Sequence, residues 1–159
     1  MLSNSSKYAI NAVIYLAIHS SASHRIAPKD VAEALHIPTP FLAKILQTLA
    51  RKKVISSNKG PGGGFWLSDE EKQAPLMTVV EQIGEADKFI ACAMGFKECS
   101  SEKPCPLHAS VQPFRDNFMR ELTENSIASF AQKIADKTAF LSPTELNRSE
   151  ERRVGKECR

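Results

Sequence analysis

Cys92, Cys99, Cys105 and His108 occupy one stretch of chain in the spacing C-x6-C-x5-C-x2-H. Thiolate and imidazole are ligands for soft and borderline metals, so this stretch can hold an iron–sulfur cluster or a zinc ion, or act as metal-free redox thiols. Three thiolates from one flexible loop can face a single cluster, which usually takes about four protein ligands. His108 is the local choice for the fourth, because imidazole can replace thiolate at iron; Glu98 and Glu102 are weaker ones. Zinc sites usually pair their cysteines about two to four residues apart, and the spacing here is wider. A thiol oxidoreductase fits poorly, since the stretch has neither a C-x-x-C pair nor a convincing histidine partner for catalysis. An electron-transfer module would leave most of the chain without a role. His19, His24 and His36 read as solvated or capping residues.

A second constellation lies upstream. Thr39, Pro40, Ala43, Lys44 and Gln47 open a helical segment, Arg51, Lys52 and Lys53 close it, and Lys59, Gly60, Gly62 and Gly63 sit in a glycine-rich turn. Gln can pair an adenine edge, and Lys a guanine edge or a phosphate. Glycines let backbone N–H groups approach phosphates closely while Lys59 supplies charge. A nucleotide-binding P-loop is excluded, because no Gly-Lys-Ser/Thr follows the glycines.

The elements that must position these residues follow from periodicity. Tyr8 to Ile18 is apolar on nearly every side and reads as a buried helix. Pro28 opens a second, short helix with Val31, Ala32 and Leu35 inward, stopped at His36-Ile37-Pro38. Thr39 reads as the N-cap of a third helix, with an apolar stripe of Phe41, Leu42, Ile45, Leu46 and Leu49. Val54–Ser57 and Phe65–Leu67 read as two strands joined by the glycine-rich turn. Met77 to Ile83 reads as another helix, and Ala91 to Pro106 as the loop that holds the cysteines. Val111, Phe114, Phe118, Leu122, Ile127, Phe130 and Ile134 then recur as in a long amphipathic helix with a break near Asn125-Ser126, a pattern that fits packing against a second copy.

The predicted class is mainly α with a small β-hairpin wing: a winged helix-turn-helix plus a long C-terminal dimerisation helix. In this arrangement the third helix lies in the major groove of double-stranded DNA and the hairpin tip reaches the neighbouring backbone or minor groove. The boundaries are residues 1–75 for the DNA-binding unit, 76–108 for the connecting helix and cysteine loop, and 109–141 for the dimerisation helix.

KYAINAVIYLA, VAEALHIPTPFLAKILQTLARKKVISSNKGPGGGFWLS and CAMGFKECSSEKPCPLH together resemble the Rrf-two family of bacterial winged-helix regulators, which includes the iron-sulfur cluster regulator and the nitric-oxide-sensing repressor. The GPGGGFWLS wing and the three-cysteine loop in this order are the specific part. The resemblance implies a cytoplasmic homodimeric regulator, not an enzyme, that binds a palindromic operator as a repressor. It also implies a 2Fe-2S or 4Fe-4S cluster on the loop, sensing redox state, iron or nitric oxide, with zinc or an empty loop as the alternative. In some relatives an acidic residue near the partner's N-terminus completes the ligand set; Lys7 or Tyr8 stands at the matching position here.

Charge and length set the remaining limits. Arg148 to Arg159 reads RSEERRVGKECR, breaks the helical pattern and matches the in-frame translation of a common short-read sequencing adapter, so it is set aside as an artefact. It carries five of the 21 Lys and Arg and three of the 18 Asp and Glu, so the net charge of the remainder falls from +3 to +1. DNA contact must therefore rest on a local basic patch. The longest apolar run, Ala12 to Ile18, is seven residues, where a membrane span needs roughly 18 or more. Lys7, that run and Ser20 to Ser23 mimic a short signal peptide, but Asn11 and His19 border the run and favour a buried first helix.

Overall fold

The computed structural model describes residues 2–141; the adapter-like stretch 148–159 lies outside them. Helix α1 (Asn4–His19) starts where the Ser3 hydroxyl accepts the Ser6 N–H at 3.1 Å. Its apolar run is buried almost all round because α2 (Pro28–Leu35), α3 (Thr39–Arg51), α4 (Met77–Gln82) and α7 (Ile127–Ala135) all pack on it. The class predicted from sequence, mainly helical with one hairpin, is the class observed.

Helix α2 begins at Pro28 and ends at His36, whose left-handed backbone (φ 54°) turns the chain into α3. Thr39 is not the N-cap of α3: the Pro38 carbonyl accepts the Phe41 and Leu42 N–H groups, which makes Pro38 the cap and Thr39 the first helical residue. Leu42, Leu46 and Leu49 are fully buried, and Ile45 is half-buried, but Phe41 is exposed and does not belong to the inner stripe. At about 100° per residue the three leucines share one face, and Phe41 falls at its edge.

Strands β1 (Ser56–Asn58) and β2 (Gly64–Trp66) form the wing, in the antiparallel register Ser56 to Trp66 and Asn58 to Gly64. They begin later on one side and earlier on the other than the apolar residues indicate, because Val54, Ile55 and Leu67 bury themselves below the hairpin. Ile26 and Phe65 exchange backbone hydrogen bonds at 2.9 and 3.0 Å, so the wing docks on the segment before α2. Glu71, in a short 3-10 turn (Glu71–Gln73), and Ser68 form a capping box, and the same carboxylate accepts the Ser56 hydroxyl at 2.8 Å, which fixes the wing at its base.

Helices α5 (Asp87–Ile90) and α6 (His108–Glu124) flank the cysteine loop. The break between α6 and α7 falls at Asn125-Ser126, as the periodicity indicates. Its cause is tertiary: the Leu76 N–H bonds the Asn125 carbonyl at 3.1 Å and the Ile127 N–H bonds the Ala74 carbonyl at 3.0 Å, a bridge that no continuous helix could make. Helix α7 turns back on α1, and α6 keeps an exposed apolar edge at Phe114. Among the described residues no helix is long and apolar enough to cross a membrane.

Candidate nucleic-acid interface and cysteine loop

The outer face of α3 carries Thr39, Pro40, Lys44, Gln47 and Arg51 in the open, with Ala43 half-buried between them. Lys59, Gly60 and Gly62 are exposed at the tip of the wing and Gly63 is half-buried. A groove of about 660 Å³ separates the two elements, lined by Gln47, Ala50 and Arg51 of α3 and by Asn58, Lys59 and Gly63 of the wing. Of the residues singled out in the sequence, Gln47, Arg51, Lys59 and Gly63 thus meet in one groove. Thr39, Pro40, Ala43 and Lys44 lie toward the start of α3, and Gly60 and Gly62 at the outer tip, beyond its walls.

Glycine is required at Gly63: a Cβ there would stand 2.4 Å from the Asn58 carbonyl oxygen and 2.8 Å from that of Gly60. The tip is therefore a tight backbone turn, closed by the Gly63 N–H on the Gly60 carbonyl at 2.9 Å. Among the described residues Lys44, Arg51, Lys52, Lys53 and Lys59 form no ion pair; the pairs present involve Lys72, Lys88, Arg115 and Lys133. The positive strip along α3 and the wing is consequently uncompensated, in a chain whose overall charge is small. One contact is invisible in the sequence: Arg25 stacks over the Trp66 ring at 5.0 Å, bracing the wing from the α1–α2 connection; Phe41, by contrast, stands exposed at the start of α3.

The cysteine loop pairs Cys99 with His108 and turns the Cys92 thiol toward those of Cys105 and Cys99. Cys92 and Cys105 are buried, Cys99 is half-buried, and His108 is 8% exposed as the first residue of α6. Cys99 Sγ lies 3.5 Å from His108 Nδ1, and Ser101 Oγ lies 3.3 Å from His108 Nε2. The backbone N–H groups of Met94 and Phe96, then the thiols of Cys105 and Cys99, hold the Cys92 thiol below its ordinary range, against the opposing effect of burial. Among the described residues these side chains do not form a ready-made metal-ion site. Their donor chemistry nonetheless fits an iron–sulfur cluster: three thiols on one loop, amide donors beside the Cys92 sulfur, and an imidazole against Cys99. Glu98 and Glu102 are exposed and away from these contacts.

The α5 end of the loop is pinned to α6. The Phe89 ring of α5 stacks on Phe118 of α6 at 5.8 Å and 16°, and Phe118 on Phe114 at 6.2 Å. Arg115 Nη1 donates to the Ile90 carbonyl at 3.2 Å. Just before α5, the Glu85 carboxylate bonds Lys88 Nζ at 2.7 Å, Ser6 Oγ at 3.1 Å and Ser3 Oγ, tying the loop's approach to the N-terminus of α1. Lys88 and then Ser3 hold the Glu85 carboxyl below the usual carboxylate range.

Comparison with known proteins gives this geometry a context. Residues 2–133 match the family model Rrf2, described as an iron-dependent transcriptional regulator. An HTH-type transcriptional regulator of Aquifex aeolicus is 33% identical over 138 residues, covering 84% of this chain and 94% of that one. The HTH-type transcriptional repressor NsrR of Streptomyces coelicolor is 26% identical over 105 residues, 65% of this chain and 66% of its own. The structure of CymR, the global cysteine regulator of Bacillus subtilis, superposes with a TM-score of 0.64 at 17% identity, covering 83% of this chain and 96% of that one.

Proposed function

The chain belongs to the Rrf2 family of transcriptional regulators, and from that premise we propose that it is a homodimeric repressor whose operator affinity is set by an iron–sulfur cluster on the cysteine loop. The observation that carries the proposal is a single loop that holds Cys92, Cys99, Cys105 and His108, sets Cys99 against His108, and is anchored to α6 through α5. The three cysteines are the proposed ligands, with His108 the fourth. A bound cluster supplies a chemistry sensitive to oxidants, iron supply or nitric oxide. Three units divide the work, at 1–75, 76–108 and 109–141.

On DNA, α3 enters the major groove of a palindromic operator, where Thr39, Pro40, Ala43, Lys44 and Gln47 face base edges and Arg51 the backbone. Lys59, Gly60, Gly62 and Gly63 of the wing approach the adjacent phosphates. The exposed edge of α6 at Phe114 supports pairing with a second copy, which spaces the two recognition helices. An ordered loop holds Phe89 and Ile90 against α6. When the loop loosens, α6 is released from those contacts, and the spacing of the two α3 helices shifts with it.

Anaerobic purification, followed by an absorption spectrum and assays for iron, sulfide and zinc, tests the proposal. Matched iron and sulfide with broad visible absorption support it. A protein that holds zinc, or takes up no cluster on anaerobic reconstitution, overturns the cluster and leaves the transcriptional regulator standing.

A further inference from the structure

We infer that Phe41 reads thymine methyl groups in the operator and so contributes to base specificity; this rests on α3 being the recognition helix. Phe41 is 64% exposed, more than any other large apolar side chain among the described residues. The core has no use for it, since Leu42, Leu46 and Leu49 already fill the inner face of α3. A single exposed phenylalanine is unremarkable in itself. What distinguishes this one is its place, in the first turn of α3, one helical turn before Lys44 and on the element that carries the unpaired cations Lys44 and Arg51.

That positive strip selects a polyanion as the occupant of this face, which here is a DNA duplex. The first turn offers such a duplex little hydrogen bonding. Thr39 contributes one hydroxyl, whereas Pro40, Phe41 and Ala43 have no polar side-chain atom. Direct readout by this turn is therefore apolar contact, and the apolar group displayed in the major groove is the C5 methyl of thymine. Half-buried Ile45 sits one turn along from Phe41 and packs against the core, which leaves the Phe41 ring facing outward.

The test uses the full chain, prepared anaerobically. Duplexes enriched from a random library by the wild-type protein are remade with deoxyuridine in place of thymidine at single positions, which removes only the methyl group. At a contacted position the wild type loses about fourfold in affinity per methyl. Phe41→Ala binds the two duplexes equally, Phe41→Leu discriminates partly, and Lys44→Ala binds more weakly but keeps the wild-type ratio. Melting curves like the wild type's show that the variants fold, as befits an exposed site. Indifference of the wild type to every such replacement, or an undiminished ratio in Phe41→Ala, overturns the inference. If Lys44→Ala and Gln47→Ala still weaken binding in that case, α3 remains the recognition helix. If neither variant affects binding, or the library yields no enriched sequence, the assignment of α3 falls as well.

Discussion

Removing the Phe89 ring tests how the cysteine loop is held. Phe89 is 4% exposed and stacked on Phe118 at 5.8 Å, while its own helix, α5, has only four residues. Burial of a phenylalanine is worth about 3–5 kcal/mol against alanine in a closed core, of which roughly 0.5–1.5 kcal/mol belongs to an aromatic pair. Here the partner Phe118 is half-buried and the site borders solvent, so about 2 kcal/mol is the reasonable share. A four-residue helix cannot persist unaided. The loss therefore appears as local opening of α5 and the loop, and not as global unfolding. In Phe89→Ala, amide hydrogen exchange followed by mass spectrometry accelerates roughly thirtyfold over the 86–92 backbone, as about 2 kcal/mol implies, while α1 and α3 keep their protection. Equal acceleration throughout the chain, or none near residue 90, would refute the reasoning.

Other consequences are equally open to measurement. His36 holds a left-handed backbone at φ 54°, so His36→Gly stabilises the fold by about 0.5–1 kcal/mol, read as a higher urea midpoint at unchanged slope. The lowered pKa of Glu85 means that its stabilisation is fully present above the ordinary carboxylate pKa and is lost as pH falls through the lower folded value. Glu85→Gln accordingly loses stability at neutral pH and shows a shallower acid decline in that window, measured by urea unfolding across pH. Gly63→Ala opens the wing turn, since its Cβ meets the Asn58 carbonyl at 2.4 Å, and operator binding drops about tenfold or more while the core melts as before; unchanged binding would remove the wing from the interface.

The fold was legible where local signals agreed with packing. Pro28, the glycine turn and the break at Asn125-Ser126 mark boundaries found in the structure, and the leucines of α3 mark its buried face. Thr39 suits a cap by residue type, yet the Pro38 carbonyl takes the first helical bonds and leaves the Thr39 hydroxyl without that role. Phe41 is apolar, which alone assigns it to the core, yet it falls at the edge of the face that Leu42, Leu46 and Leu49 bury and stays exposed. The strand limits slipped because Val54, Ile55 and Leu67 are apolar for burial beneath the hairpin rather than for pairing within it. Nothing local announces that Arg25 will cover Trp66, or that Glu85 will reach Ser3 and Ser6, since both depend on how distant segments meet. At the loop, sequence spacing named the four residues, and the structure adds their neighbours: the Met94 and Phe96 amides, Ser101, and the Phe89 and Arg115 anchors.

The central claim is that the cysteine loop controls operator affinity. It is tested most directly by anaerobic fluorescence-anisotropy titration of the library-enriched duplex, before and after exposure to nitric oxide or oxygen. The wild type is compared with the Cys92→Ala, Cys99→Ala, Cys105→Ala triple variant. Coupling between two sites on one protein is typically worth about 5- to 150-fold in affinity, so the wild type shifts by at least about fivefold and the triple variant does not respond. Specific binding of equal strength in every state of the wild-type protein, matched by the variant, would contradict the account.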